Sequence, residues 1–168
     1  MDLKDLQVLL DYHYWARDRV LEAADRLTSE QFNRDLGNSF RSVRDTLAHI
    51  YAAEWAWHSR WNGQSPTSLL SADLFPNVAE LRRVWIEHEA TMRSFLDGLG
   101  EEGIGRAFEY KLLSGQPGKS SFWQMLQHVV NHASYHRGQV TTMLRQLGVQ
   151  PPKSMDLIAF HRERSAAP

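Results

Sequence analysis

The segment from Ser121 to Leu147 carries histidines inside the apolar face of a helix, and this feature constrains the fold most. At about 100° per residue, one side of this helix collects the apolar residues. They are Phe122, Met125, Val129, Ala133, Val140, Met143 and Leu147. His132 and His136 lie in the same sector, one turn apart. The pattern predicts a long core-facing helix with two imidazoles on its buried side.

The spacing of this pair favours a metal site over two independent core histidines. A lone histidine on an apolar face is more often neutral and hydrogen-bonded to a neighbour. Two rings at i and i+4, however, lie roughly 6 Å apart on one face, which is a chelating arrangement in helical metal sites. His128 extends the series, but three rings at this spacing span about 12 Å of helix. We therefore expect His132 and His136 to be completed by a ligand from another helix.

Composition restricts the chemistry that such a site can use. The 168 residues contain no cysteine, so thiolate ligands, disulfides and a cysteine nucleophile are excluded. The net charge is −1, and the basic residues are scattered, which argues against a nucleic-acid-binding face. The hydrophobic content of 42% is typical of a globular chain, and we expect one domain over residues 1–168.

We expect a cytoplasmic protein with no membrane attachment. The N-terminal sequence MDLKDLQVLLDYHYW lacks the basic start and the long apolar run of a signal peptide. No stretch approaches the roughly 18 apolar residues that a membrane-spanning helix requires.

Four long segments with helical periodicity predict an all-α protein, a four-helix bundle. They cover residues 3–27, 42–62, 77–99 and 121–147. Ser42, Asn77 and Ser121 stand where N-caps are expected, and Gly148 is a typical terminating glycine. A small hairpin is expected between residues 108 and 120, and further helical turns after Asp156. Two long connections permit crossovers, so the helices need not follow simple up-and-down order.

Three histidines on other helices compete to be the third ligand. His13 and His88 lie in stripes of large apolar residues, where a hydrogen-bonded core histidine is the more common outcome. His49 lies on a helix shoulder lined by Thr46, Ala52, Ala53 and Ala56, which leaves room for a ligand between helices. The residues alone favour His49 without excluding the others.

Two segments of the chain resemble the DinB family, named for damage-inducible proteins. They are SVRDTLAHIYAAEWAWHSRWNG and the run from LQHVVNHASYHRGQ to IAFHRE, in which N-H-x-x-x-H-R-G-Q is specific. The resemblance covers essentially the whole chain. It implies a four-helix bundle with a non-standard helix order, often a homodimer. It also implies a metal site formed by His49, in the T-L-x-H-I pattern, together with His132 and His136.

Three imidazoles with an open coordination position are the arrangement of a catalytic metal site. They suit zinc, nickel or iron, and an ion there brings the pKa of a bound water from 15.7 to roughly 7. The resemblance implies metal binding, and also transfer chemistry that uses a low-molecular-weight thiol on a small-molecule substrate. We therefore expect a metal-dependent transferase or hydrolase. The alternative is a metal-stabilised bundle without catalysis that acts in stress response through protein contacts.

Several polar residues near the expected site have two interpretations each. Gln139 and Asn131 either orient a ligand or satisfy local backbone groups. Glu54 is either a general base or an ion-pair partner of Arg17. Arg137 either holds a substrate carboxylate or is solvated, and solvation is the safer expectation.

Histidines and aromatic residues outside the site carry two further expectations. His128 is expected as an outer neighbour of the ligands, and His58 as a solvated residue. Tyr135 is expected to pack on a partner or a loop. Six tryptophans are more than one small core easily hides, so we expect a homodimer. Trp15, Trp55 and Trp123, which point off the apolar stripes, are the residues expected at its interface.

Overall fold

Helices form most of the chain in the computed structural model, which describes residues 1–166. Six α-helices lie in this range: α1 (Leu3–Ala24), α2 (Ser29–Asn33), α3 (Val43–Trp61), α4 (Val78–Gly103), α5 (Phe122–Gln146) and α6 (Leu157–Ala166). A 3₁₀ turn spans Ala72–Leu74, and strands β1 (Ala107–Lys111) and β2 (Pro117–Ser121) precede α5. The all-α fold expected from the sequence is confirmed.

The long helices begin at the caps that the sequence encodes. The Ser42 hydroxyl accepts the Asp45 N–H at 3.1 Å, and the Asn77 side chain accepts the Glu80 N–H at 2.8 Å. At the start of α5, the Ser121 N–H donates to the side chain of Gln124 at 3.1 Å. These bonds satisfy first-turn amides that have no partner within the helix, so they fix where each helix starts.

Four helices form the bundle, and their packing does not follow chain order. The packed pairs are α1 with α4, α4 with α3, α3 with α5, and α5 with α1. The helices α1 and α3, although successive long helices in the chain, therefore face each other across the centre of the bundle. The core between them includes Leu10, Leu47, Trp85 and Val140, all at most 1% exposed. This arrangement agrees with the non-standard helix order that the resemblance implied.

The connections depart from the expected pattern in small ways. The first helix ends at Ala24, and residues 29–33 form the short helix α2, which begins at a cap on Thr28. The expected hairpin is present, with Ala107 opposite Ser121 and Lys111 opposite Pro117. Gly115, in the hairpin turn, adopts φ +84°, which is a conformation that favours glycine.

The tryptophans expected at an interface are only partly exposed. Trp15, Trp55 and Trp123 all have intermediate burial, because each packs against its own chain. The homodimer stays a prediction, and light scattering at tens of micromolar protein tests it. Within residues 1–166, no helix combines the length and the hydropathy that crossing a membrane requires.

Candidate metal centre

His49, His132 and His136 converge at the contact between α3 and α5. The Nε2 atom of His132 lies 3.0 Å from Nε2 of His49 and 3.1 Å from Nε2 of His136. The ligand atoms that the three residues offer all lie within 4.8 Å of one another. The structure thus brings together the three residues that the sequence and the family resemblance selected.

Hydrogen bonding alone does not satisfy these three nitrogens. A neutral imidazole has one N–H and one lone pair, so Nε2 of His132 can serve only one of its two neighbours as donor. A cation at their centre satisfies all three lone pairs at once. With Zn–N bonds of about 2.0–2.1 Å and tetrahedral angles, ligand nitrogens lie roughly 3.3 Å apart. The observed separations of 3.0 and 3.1 Å are close to that spacing, so the group fits a small divalent ion.

Two of the imidazoles are held in the state that a metal requires. Burial lowers the pKa of His49 to about 4, with repulsion from His136 as a smaller cause. Burial also lowers the pKa of His132 to about 3, with His136 and His49 contributing. Both rings are therefore neutral at pH 7, and their lone pairs are available without a competing proton.

Gln139 fixes the tautomer of the third ligand. Its Oε1 lies 2.7 Å from Nδ1 of His136, where the ring N–H donates to the amide oxygen. That bond places the proton on Nδ1 and leaves the lone pair on Nε2, the atom that faces His132. The orienting role considered for Gln139 is therefore present in the structure. Asn131 is exposed, and its side chain makes no hydrogen bond within the described residues.

Phe40 forms a wall of the site, and sequence analysis did not identify it. Its ring stacks on His49 with centroids 4.0 Å apart and meets His136 edge-on at 5.3 Å. Phe40 lies in the polar connection before α3, where periodicity carries no information. The ring centroid of Tyr135 lies 5.1 Å from that of His136, and Tyr135 is 67% exposed, so it borders the site and does not pack on a loop.

A second polar cluster crosses the bundle centre and surrounds Glu54. The Glu54 carboxylate accepts three hydrogen bonds of 2.8 Å each, from Nε2 of His13, the hydroxyl of Tyr14 and the indole N–H of Trp85. Nε2 of His88 lies 4.0 Å from the same carboxylate. Glu54 is 1% exposed, so these donors replace water for the buried charge.

The protonation states in this second cluster follow from its hydrogen bonds. Burial raises the pKa of the Glu54 carboxyl, but His13, the nearby His88 and the hydrogen bond from Trp85 lower it, and the lowering prevails. Burial lowers the pKa of His13, although Glu54 opposes the shift. Nδ1 of His13 is buried and has no partner in the part of the chain described, which agrees with a neutral ring that donates through Nε2. Glu54 is thus an anion held by neutral donors.

Three expectations for polar residues are corrected by the structure. Glu54 pairs with His13 and not with Arg17, whose guanidinium instead lies 2.7 Å from Glu89. Arg137 is 2% exposed, not solvated, because it stacks over Tyr12 and donates to Ser134 at 2.8 Å. These errors have one cause, since helical angles do not reveal which distant helix covers a side chain.

His58 is the third of these corrections. It is half-buried, not solvated, with its ring 5.0 Å from that of His88. Burial lowers the pKa of His58 to about 4, with the charge of His88 as a smaller cause. His13 and His88, by contrast, are core histidines as expected, with exposures of 0% and 9%.

The fold and the three convergent imidazoles place this chain among helical-bundle proteins with a candidate histidine metal site. The chain belongs to the DinB family, whose model matches residues 1–165. It is 26% identical over 147 residues to protein DinB of Bacillus subtilis, covering 83% of this chain and 84% of that protein. It is 22% identical over 144 residues to the uncharacterized B. subtilis protein YizA, covering 84% and 87% of the two chains.

A solved structure shows the same fold. The crystal structure of a DinB-like protein from Bacillus cereus superposes with a TM-score of 0.59 at 18% identity. The superposition covers 87% of this chain and 95% of that one. At this identity the likeness supports the fold alone.

Proposed function

We propose that the protein is a metal-dependent enzyme that binds one divalent transition metal through His49, His132 and His136. The reaction is a thiol-dependent transfer or a hydrolysis on a small-molecule substrate. The observation that carries the proposal is the convergence of three Nε2 atoms that hydrogen bonds cannot satisfy together. The family membership supports the same choice of residues.

The ligand count favours a catalytic site over a structural one. Structural zinc sites are closed by four protein ligands, whereas catalytic sites use three and leave a position open. Among the described residues, the group contains three members and no carboxylate or fourth imidazole. An ion held by neutral nitrogens keeps its positive charge, and it lowers the pKa of a water or thiol that binds to it.

The residues around the ligands have distinct tasks in this proposal. Gln139 holds His136 in the tautomer that presents Nε2. Phe40 restricts the motion of His49 by stacking and makes one wall of the approach apolar. Glu54 takes no part in proton transfer here, because its oxygens are occupied by donors on the other side of α3.

Metal content is the first test. Protein purified without chelator and without an affinity tag is expected to contain near one equivalent of zinc, nickel or iron. Elemental analysis of His132→Ala and His136→Ala should show that both lose it. His161→Ala is the matched control, because His161 is exposed on α6. Full metal content in either ligand variant would show that the site is misassigned.

An exchangeable coordination position is the second test, and it separates an enzyme from a metal-stabilised protein without chemistry. In cobalt-substituted protein, a small thiol or azide is expected to shift the visible spectrum. A spectrum that stays unchanged at millimolar thiol and azide would favour a closed site and the stress-response alternative. Screening the metal-loaded protein with thiol plus electrophile, and with ester and amide substrates, then distinguishes transfer from hydrolysis.

A further inference from the structure

Arg60 is a buried cation without a counter-ion. It is 6% exposed, and its Nε is buried with no hydrogen-bond partner. Within residues 1–166, no carboxylate forms a salt bridge with its guanidinium. Arg17 differs, since it pairs with Glu89 at 2.7 Å. Arg137 also lacks a carboxylate and has a buried Nη1 without a partner in the part of the chain described, but it donates to Ser134 at 2.8 Å, whereas the Arg60 side chain makes no hydrogen bond to any described residue. Burying a charge without a partner is costly, so an uncompensated guanidinium points to an anion supplied from outside.

Two aromatic rings hold the Arg60 guanidinium in place. Its Cζ lies 4.5 Å from the ring centre of Trp57 and 5.7 Å from that of Tyr110 on β1. Stacking uses the flat faces of a guanidinium, and the two Nη groups at its edge, unlike the buried Nε, stay free to bind a carboxylate or a phosphate bidentately. The aromatic rings thus orient the cation without consuming its hydrogen-bonding capacity.

The stacked arginine lies along the same helix contact as the candidate metal centre. Trp57 meets His128 edge-on at 5.3 Å, and His128 lies 5.8 Å from His132, measured between ring centres. Arg60 and His49 are eleven residues apart on α3, which places them within about 20° of the same face. Trp57, which the guanidinium covers, follows His49 by eight residues, or about 12 Å of helix. A row of side chains therefore leads from the three imidazoles to a free cation.

We infer that Arg60 is an anion-binding subsite of the metal centre. The substrate it implies is an extended small molecule with a carboxylate or phosphate about 12–17 Å from the group that reaches the ion, which spans the helix rise from His49 to Trp57 and to Arg60. One end of this molecule enters between the imidazoles, its middle crosses His128 and Trp57, and its anionic end pairs with Arg60. This inference rests on the proposed function for the metal end, whereas the anion end depends on Arg60 alone.

Binding of an anion to Arg60 is tested first without reference to the metal. In ¹⁵N-labelled protein as purified, glutarate is expected to shift the Arg60 Nε–H resonance in a saturable way. Glutaramide, its uncharged counterpart, should not. The internal control is Arg106, which also stacks on an aromatic ring, Phe108 at 5.1 Å, but is exposed. No shift at Arg60, or an equal shift at Arg106, would overturn the inference.

The spacing is tested with ω-mercaptocarboxylates of increasing length and the ω-mercaptoalcohols of matching length. In cobalt-substituted protein, the carboxylate is expected to bind on the order of tenfold more tightly than the alcohol once the chain spans the two sites. Short chains should show no such preference. Arg60→Gln should abolish the preference, Arg60→Lys should retain part of it, and Arg106→Gln should leave it unchanged. Circular dichroism verifies the fold of each variant.

The two experiments separate the failure of this inference from the failure of the proposed function. If no thiol changes the cobalt spectrum while glutarate still shifts Arg60, the metal chemistry is wrong and the anion site stands. If thiols bind but the carboxylate preference is equal at every length, or survives in Arg60→Gln, the subsite is wrong and the proposed metal site stands. Should Arg60→Gln fail to fold, Arg60→Lys and the glutarate titration decide.

Discussion

Two histidine clusters share helix α3, and they differ in what their nitrogens face. His49 faces His132 and His136, and these three imidazoles meet one another without any carboxylate. Five residues later, Glu54 faces the opposite side of the helix and accepts the N–H of His13 in the core. Both clusters contain imidazoles and both use α3, so the presence of histidine and the choice of helix do not distinguish them.

The two clusters differ in whether their polar atoms have hydrogen-bond partners within the protein. The core cluster is formed by Glu54 with His13, Tyr14 and Trp85. Each of its short contacts joins a donor to an oxygen of the Glu54 carboxylate, so the group is complete without a ligand. In the surface cluster, formed by His49, His132 and His136, three ring nitrogens with lone pairs converge on a space that no protein donor fills. A saturated carboxylate is typical of a structural network, and a convergence of acceptors is typical of a cation site. The following predictions test whether the two clusters are independent.

Removal of the core carboxylate is expected to have the largest effect. Glu54→Ala leaves the donors of His13, Tyr14 and Trp85 buried without an acceptor. Each buried donor left without an acceptor costs about 1–3 kcal/mol, so the loss of three acceptor contacts should lower the free energy of unfolding by several kcal/mol. Urea denaturation measures the loss, and metal content per folded molecule is expected to stay near the parent value.

A matched control tests whether the burial of the carboxylate, and not its charge alone, accounts for the loss of stability. Glu109→Ala removes a carboxylate that pairs with Lys119 at 2.9 Å but is exposed on the hairpin. An exposed pair of this kind contributes about 0.2–1 kcal/mol. If Glu54→Ala is no more destabilising than Glu109→Ala, the core network is not the stabilising unit described above.

Loss of a ligand is expected to produce the next largest effect, and only at the surface cluster. His49→Ala should weaken zinc binding more than the 10–100-fold that is typical of outer-shell substitutions. His88→Ala should leave zinc affinity near the parent value and lower the free energy of unfolding, because His88 packs in the core against Tyr51 and His58. Competition with a chromophoric chelator on the folded variants measures affinity separately from stability.

The opposite result would exchange the roles of the two clusters. If His49→Ala binds zinc as tightly as the parent while His88→Ala does not, the metal site lies in the core and the assignment of the three ligands is wrong. His13→Ala is a second control, since its ring is completely buried and engaged with Glu54.

Much of the candidate site was predictable from the sequence because it depends on local geometry. Helical spacing alone places His132 and His136 on one face, and the small residues around His49 indicate where another helix approaches closely. The caps at Ser42, Asn77 and Ser121 similarly mark where helices begin, since each depends on residues within one turn.

The rest depends on which helix faces which, and this information is not local. Periodicity places Glu54 near an apolar face but cannot show that α1 lies across the bundle from α3, so its partner His13 was not foreseen. Phe40 belongs to a connection without periodicity. The isolation of Arg60 becomes visible only when its entire surroundings are known, because it consists of the absence of any hydrogen-bond or salt-bridge partner for its side chain among the described residues.

The hydrogen bond that orients His136 is expected to have an intermediate effect. Gln139→Leu removes the acceptor of the Nδ1–H while keeping a similar volume, so the imidazole loses its fixed tautomer. Zinc affinity should fall by about 10–100-fold, with little change in the free energy of unfolding. Asn131→Leu is the matched control, because Asn131 is exposed on the same helix. Equal effects of both substitutions would contradict an orienting role for Gln139.

The smallest effect expected is a dependence of core stability on pH, and it tests the neutral state assigned to the buried imidazoles. Burial lowers the pKa of His88 below 6.5, although Glu54 opposes the shift. Between the lowered value and 6.5, the unfolded chain takes up a proton at this residue and the folded chain does not. The free energy of unfolding therefore rises with pH through that window and levels off above it. Each such proton contributes a slope of up to about 1.4 kcal/mol per pH unit.

Replacing His88 by Gln is expected to reduce the slope of unfolding free energy against pH by up to the contribution of one proton. His161→Gln removes an imidazole at an exposed position and serves as the control. Urea denaturation at pH steps from 5 to 8, with chelator present, measures the slopes without interference from metal binding at the surface cluster. A parent protein whose stability falls as the pH rises from 5 to 6.5 would mean that the core imidazoles are charged. The core network would then consist of ion pairs, and the contrast between the two clusters would have to be drawn from charge instead of from hydrogen bonding.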